Sequence, residues 1–221
     1  MQTTTPISRT RESALATNKV LRNTYALLSM TLLFSALMAA VSIAIGPPPM
    51  TSLVCTFGAI LILMFVLPRF EESGTGIALV FLATGMLGFG LGPLLSMYLA
   101  LPNGPSVVAT AMGGTGVIFL ALSAYVLTTR RDFSFMGGFL MVGIIVVFGA
   151  AILNIFMAVP AMSIAISAAM VLLMSGFILF DTSRIINGGE TNYIRATVSL
   201  FINIFNLFTS LLHLLGIMSD D

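Results

Sequence analysis

The polar residues that could do chemistry in this chain lie on two neighbouring apolar stretches near its C-terminal end. In "RATVSLFINIFNLFTSLLHLLGIM", which starts at Arg195, polar residues recur at intervals of four, three, four and three. That spacing predicts a polar stripe along one face of an α-helix, about 21 Å long. Its members are Ser199, Asn203, Asn206, Ser210 and His213. Lipid offers no hydrogen-bond partner, so we expect the stripe to face the inside of a helix bundle, either as contacts between helices or as the wall of a polar cavity.

A carboxylate, Asp181, follows directly on the apolar run "SIAISAAMVLLMSGFILF". An ionised side chain at a membrane span is costly unless something pairs with it or uses it. One interpretation is an ordinary ion pair with Arg184, one helical turn further on. The other is a gate at the cytoplasmic side, in which Asp181 is tied to Arg69 at the end of the second apolar segment, with Asn203 at a similar depth.

The residue types argue against most intramembrane enzymes. His213 is the single histidine, which leaves no second imidazole for a metal pair, and we expect it to make an ordinary hydrogen bond or to lie at the membrane interface. H-E-x-x-H and G-x-S-x-G are absent, and Asp132 lies in a loop beside Arg130 and Arg131 rather than within a span. The single cysteine, Cys55, has no partner within the chain. We therefore expect a protein that is not an enzyme and holds no cofactor or metal.

The composition is that of an integral membrane protein. Of its 221 residues, 58% are hydrophobic and 8% are charged, and the mean hydropathy is +1.09. Soluble domains average roughly 25% charged residues. The net charge of +1 and the scattered basic residues give no reason to expect nucleic acid as a partner.

Seven apolar segments, each near the roughly 20 residues that cross a bilayer, predict an all-α protein with seven transmembrane helices. They lie at about 23–45, 51–68, 76–99, 106–128, 133–157, 161–180 and 195–218. Proline-rich, glycine-rich or charged loops separate them, and the weakest break is near Pro160, where a six-span alternative merges two segments. We divide the chain into a flexible tail, 1–22, and a transmembrane domain, 23–221.

The basic residues predict the orientation, because Lys and Arg accumulate in short cytoplasmic loops. With seven spans, all nine Lys and Arg residues lie on the side of the N-terminal tail. We therefore expect the N-terminus in the cytoplasm and the C-terminus on the opposite side. Six spans would carry the basic loop at 181–194 to the wrong side, which argues against that alternative.

Four stretches together resemble the Bax inhibitor-1 family, also called transmembrane Bax inhibitor motif proteins. They are "NKVLRNTYALLSMTLLFSA", "LGPLLSMYL", "RRDFSFMGGFLMVGIIVVFGAAILNIF" and "FDTSRIINGGETNYIRATVSLFINIFNLFTSLLHLLGIMSDD". The resemblance covers nearly the whole chain, and the tract from "NGGETNYIRATVSL" onward looks most like the bacterial YccA branch of that family.

The resemblance implies a fold in which six helices surround a central one. It also implies a latch at the cytoplasmic end of a pH-sensitive calcium leak, formed in the family by two aspartates and an arginine. Asp181 matches the first aspartate and Arg69 the arginine, whereas Asn203 stands at the place of the second aspartate. An amide cannot ionise, so this pair cannot share a proton as two carboxylates do, and it is a weaker calcium ligand.

The YccA branch implies a different function. Its members resemble substrates and modulators of a membrane-anchored ATP-dependent protease that removes membrane proteins from a cytoplasmic tail. The first expectation is therefore a bacterial inner-membrane protein that binds and restrains this protease, and a calcium or other cation leak gated at Asp181 is the alternative.

Overall fold

The described residues of the computed structural model are 6–218, with side chains described at 15 and from 17 onward, and every element in this range is helical. Within these residues, seven helical segments are long and apolar enough to cross a membrane, as the sequence predicts. The α-helices are α1 (Pro6–Ile45), α2 (Met50–Leu61), α3 (Gly74–Leu99), α4 (Gly104–Thr129), α5 (Gly137–Met157), α6 (Pro160–Ile186) and α7 (Tyr193–Met218), and the second span, Met50–Arg69, extends beyond the end of α2. A π-helical turn at Ile62–Val66 and a 3-10 turn at Leu67–Arg69 prolong α2, and another 3-10 turn at Ser134–Met136 precedes α5.

The break between α5 and α6 is real, although only Ala158 and Val159 form it. Ala158 has a left-handed backbone, with φ of 50°, which ends α5, and Pro160 is pre-set for the first turn of α6. Asn154 closes the turn, because its side-chain oxygen accepts from the Val159 amide and its Nδ2 donates to Ser163 at 2.7 Å. The six-span alternative is therefore wrong.

The first helix begins earlier than the apolar segment that predicts it. The candidate span is Thr17–Ile45, but the helical backbone starts at Pro6. Residues 7–22 contain neither glycine nor proline, so nothing in them stops a helix. Residues 1–5 of the expected tail lie outside the described part of the chain, and the flexibility of the tail stays a prediction.

The most enclosed position belongs to α7, which packs against α1, α3, α4 and α6. The two remaining helices lie further out, since α2 packs on α3 and α5 packs on α6. Among the seven spans, α3 and α7 are the most buried and α5 is the least. The side chains of α7 that could do chemistry are thus held in the middle of the bundle.

Close glycine contacts join α1 to α3. A Cβ at Gly88 would meet the carbonyl oxygen of Ser35, and one at Gly92 would meet Ser42. Gly113 and Gly138 differ, because nothing lies within 4 Å of a Cβ built at either position. Small residues therefore bring helix backbones together at the α1–α3 contact, as expected in a membrane, but not wherever glycine occurs in a span.

Candidate functional site

The structure brings Asp181 and Asn203 together at the contact of α6 with α7. Asn203 Nδ2 donates to Asp181 Oδ2 at 2.7 Å. Asn203 is buried, with 6% of its surface exposed, and Asp181 is partly buried one turn from the end of α6. The helical spacing of the α7 stripe explains this placement, because it turns Asn203 towards a neighbouring helix rather than towards lipid.

Neither arginine considered from the sequence forms an ion pair with Asp181. Arg184 lies 3.8 Å from Glu190, donates to the carbonyl of Gly189 and stacks over the ring of Phe180. Arg69 is exposed at the end of α2, with no ion pair within 4.0 Å in the described residues. In this structure an amide, not a cation, satisfies the carboxylate.

The other members of the α7 stripe contact different neighbours. Ser199 lines a cavity of about 320 Å³ beside the end of α2. Asn206 Nδ2 donates to the carbonyl of Ile202 in its own helix, at 2.9 Å. Ser210 is buried, and the ring nitrogen Nδ1 of His213 lies 3.1 Å from the hydroxyl of Tyr98 on α3. These separate contacts favour hydrogen bonding between and within helices over a continuous polar wall.

Sequence reasoning missed a polar network around the loop between α6 and α7. Glu190 lies within 4 Å of both Arg184 and Arg195, and Arg195 also pairs with Glu71 in the loop between α2 and α3. Asn192 joins the same two loops, because its Nδ2 donates to the carbonyl of Glu71 at 2.9 Å. The asparagine directly before α7 was the available signal, since Asn favours the N-cap position of a helix.

A second set of contacts holds the loop between α4 and α5 against α6. The Phe133 amide donates to Ser183 Oγ at 2.8 Å, and Asp132 accepts from the amide and hydroxyl of Ser134. The hydrogen bonds from Ser134 lower the pKa of Asp132, with a smaller lowering from Ser183. The loops between α2 and α3, between α4 and α5 and between α6 and α7 therefore lie at one end of the bundle. This is the end to which the sequence assigns the basic residues.

The described residues hold no group of three or more His, Cys, Asp or Glu side chains that could bind a metal ion. The carboxylate of Asp181 accepts a hydrogen bond from Asn203, and that of Asp132 accepts hydrogen bonds from Ser134 and Ser183. What the arrangement offers chemically is one partly buried carboxylate bonded to an amide, beside a set of ion pairs that tie the loops together.

Comparison with known proteins gives matches along almost the entire chain. A family model described as "Inhibitor of apoptosis-promoting Bax1" matches residues 17–220. A protein of Vibrio cholerae named "Uncharacterized membrane protein" is 54% identical over 210 residues, covering 95% of this chain and 94% of its own. The Escherichia coli protein named "Modulator of FtsH protease YccA" is 51% identical over 214 residues, which is 97% of each chain. A protein of Pseudomonas aeruginosa is 47% identical over 202 residues, 91% of this chain and 90% of its own.

Proposed function

The chain belongs to the Bax inhibitor-1 family, and from that membership we propose that it binds and restrains a membrane-anchored ATP-dependent protease of the FtsH class. One observation carries the proposal: the Escherichia coli relative that is 51% identical over 97% of both chains is named a modulator of that protease. A second Escherichia coli relative, also 51% identical, is named "Inner membrane protein YccA", and seven spans in the described residues agree with a multi-pass protein of that membrane. The activity is regulatory rather than enzymatic.

Two features of the fold support restraint of such a protease. Backbone contact at Gly88 and Gly92 joins α1 to α3, so pulling on α1 from its N-terminal end has to separate closely packed helices. The ion pairs of Arg195 with Glu71 and Glu190 join the loops at the end where α1 begins. A protease that engages the N-terminal segment would therefore have difficulty pulling this helix bundle out of the membrane. While the chain stays bound, the protease is not free to degrade other substrates.

Reconstitution in liposomes tests the proposal. The purified protease degrades a separate membrane substrate, and we expect the full chain to slow that degradation several-fold. A variant that lacks residues 2–18 should insert but not slow it. A matched variant, in which a Gly/Ser linker of equal length replaces residues 2–18, separates the length of the tail from its sequence.

Each outcome of this experiment has a distinct meaning. If the truncated variant slows the protease as well as the full chain does, restraint does not act through the tail. If the full chain neither binds the protease nor slows it, the proposed function is wrong.

The pH-sensitive calcium leak stays a prediction from the family resemblance, and the comparisons do not favour it over protease modulation. Calcium takes six to eight oxygen ligands, preferably carboxylates, whereas Asp181 is bonded to the amide of Asn203. Calcium flux into liposomes over a pH series tests the alternative. An absent flux in the native chain, or an unchanged flux in Asp181→Asn, would exclude a leak gated at this residue.

A further inference from the structure

The loop between α4 and α5 carries two adjacent arginines, which differ from the paired arginines of the neighbouring loop between α6 and α7. Arg184 and Arg195 are both paired with glutamates. Arg130 and Arg131 are exposed, and within the described range neither forms an ion pair within 4.0 Å. Arg130 has a left-handed backbone, with φ of 51°, so α4 ends abruptly there.

The carboxylate of this loop, Asp132, forms hydrogen bonds with serines rather than an ion pair with either arginine. Asp132 Oδ1 accepts from the amide of Ser134 at 2.8 Å and from its hydroxyl, and it lies 3.4 Å from Ser183 Oγ on α6. These hydrogen bonds hold the pKa of Asp132 below its usual value and fix the loop against α6. The two guanidinium groups therefore belong to a loop that hydrogen bonds hold against α6, and neither has an acidic partner within 4.0 Å in the described residues.

Aromatic rings accompany the arginines. The rings of Tyr125, Phe133 and Phe135 follow one another, with centroids 6.2 and 6.4 Å apart. Phe135 is 80% exposed, and Phe139, one turn further along, is 72% exposed. The loop joins two membrane-spanning helices directly, so these rings lie at the level where hydrocarbon meets headgroups, which is where aromatic residues anchor membrane proteins.

We propose that Arg130 and Arg131, with Phe135 and Phe139 beneath them, form a binding surface for the phosphate headgroup of an anionic phospholipid. Arginine binds phosphate through paired N–H donors, and a basic surface next to a span attracts anionic lipid. The exposed phenylalanines decide between a lipid and an acidic protein segment, because they continue the apolar outer face of α5 and fit acyl chains. That face includes Val142, Ile145 and Phe148.

The chain contains no tryptophan, so one introduced tryptophan reports on its lipid neighbours. Phe139→Trp protein is placed in phosphatidylcholine vesicles that contain a minor fraction of either brominated phosphatidylglycerol or brominated phosphatidylcholine, which quench tryptophan on contact. We expect the anionic lipid to quench at least about fivefold more effectively, since a single arginine near an anionic surface already contributes a preference of that size. Phe148→Trp, in the middle of α5, should show no such preference.

Charge variants assign the preference to the loop. In the Phe139→Trp background, Arg130→Gln with Arg131→Gln should bring the two quenching efficiencies to equality, whereas Arg130→Lys with Arg131→Lys should keep most of the difference. Arg184→Gln, which changes a paired arginine at the same end, should leave the preference intact. Equal quenching by both lipids in the starting variant, or a preference that survives the double glutamine change, would overturn the proposal and leave an acidic protein segment as the partner to seek.

Discussion

The amide of Asn203 decides what Asp181 can do. The carboxylate of Asp181 accepts a hydrogen bond from Asn203 at 2.7 Å, and no Lys, Arg or His side chain of the described residues pairs with it within 4.0 Å. The contact joins α6 to α7 near the end of α6. This hydrogen bond does not require a charged acceptor, because a neutral oxygen at position 181 could accept from Asn203 in the same way.

Substitutions at Asp181 should therefore separate charge from hydrogen bonding. We expect Asp181→Asn to leave stability unchanged or to raise it by up to about 1 kcal/mol, since an acceptor remains and an ionisable group is removed from a partly buried place. Asp181→Ala leaves the buried Asn203 without this partner and should cost about 1–3 kcal/mol. Thermal unfolding in detergent measures both. Equal destabilisation by the two changes would show that the charge itself matters.

Restoring a second carboxylate should make stability depend on pH. In Asn203→Asp the two carboxylates lie about as close as the present bonded pair, and they cannot both ionise without strong repulsion. We expect this variant to approach native stability in acid, where the pair shares a proton, and to lose stability as the pH rises. The swapped pair, Asn203→Asp with Asp181→Asn, is the control and should follow the native chain across the pH series.

The residues of the candidate site were only partly predictable. Intervals of three and four turned Asn203 inward, so its meeting with Asp181 follows from helical periodicity once α6 and α7 are neighbours. Helical periodicity could not predict that Arg69 lies apart from Asp181, because the position of Arg69 depends on the irregular turns that follow α2 at Ile62–Arg69. Nor does periodicity describe loops, which is why the network around Glu190 and Asn192 was missed.

Asn192 has two tasks at the start of α7. Its Oδ1 accepts from the amides of Ile194 and Arg195, which caps the helix, and its Nδ2 donates to Glu71 in another loop. Capping satisfies amides that have no partner within the helix. The same side chain therefore sets where α7 begins and ties it to the loop between α2 and α3.

Two changes at Asn192 separate these tasks. Asn192→Asp keeps the capping oxygen and loses the donor to Glu71, so we expect a smaller loss of stability than in Asn192→Ala, which should cost about 1–2 kcal/mol. Unfolding by a graded series of denaturing detergent ranks the two variants against the native chain. If aspartate were as damaging as alanine, the bond between the loops, rather than the cap, would be the stabilising contact.

The same change, glycine to alanine, should have different effects at the contact between α1 and α3 and at an open position on α4. Gly88→Ala pushes a methyl group into the carbonyl of Ser35 and should cost about 1–3 kcal/mol. Gly113→Ala meets nothing within 4 Å and should be neutral or stabilising by up to about 1 kcal/mol, because alanine is the better helix former. Thermal unfolding compares them, and similar losses would mean that α1 and α3 can move apart at little cost.

The helices themselves were predictable because apolar length and turn-forming loops mark each span. The beginning of α1 was not, since polarity marks where a membrane ends and says nothing about whether a helix continues beyond it. The same holds for glycines: the sequence shows where backbones can approach, and the arrangement of neighbours decides where they do, as the difference between Gly88 and Gly113 shows.

For the whole molecule, three loops and the basic residues lie at one end of the bundle, and we expect that end to face the cytoplasm. Cysteine labelling tests this orientation. In a Cys55→Ser background, Glu72→Cys lies in the loop between α2 and α3, and Asn103→Cys lies between α3 and α4 at the other end. We expect a membrane-impermeant thiol reagent to label Asn103→Cys in cells whose outer membrane is permeable. Glu72→Cys should be labelled only after the inner membrane is opened, and the reverse pattern would invert the topology.

The hydrogen bond between Asp181 and Asn203 also has a consequence for biosynthesis. Asp181 emerges from the ribosome on α6, and its partner is made one helix later, on α7. If α6 entered the lipid before α7 was made, its carboxylate would have no partner there, and its neighbour α5 packs on α6 alone among the spans. The last two helices are therefore expected to leave the insertion machinery as a pair, so that the order of synthesis and the order of membrane entry differ at the end of the chain.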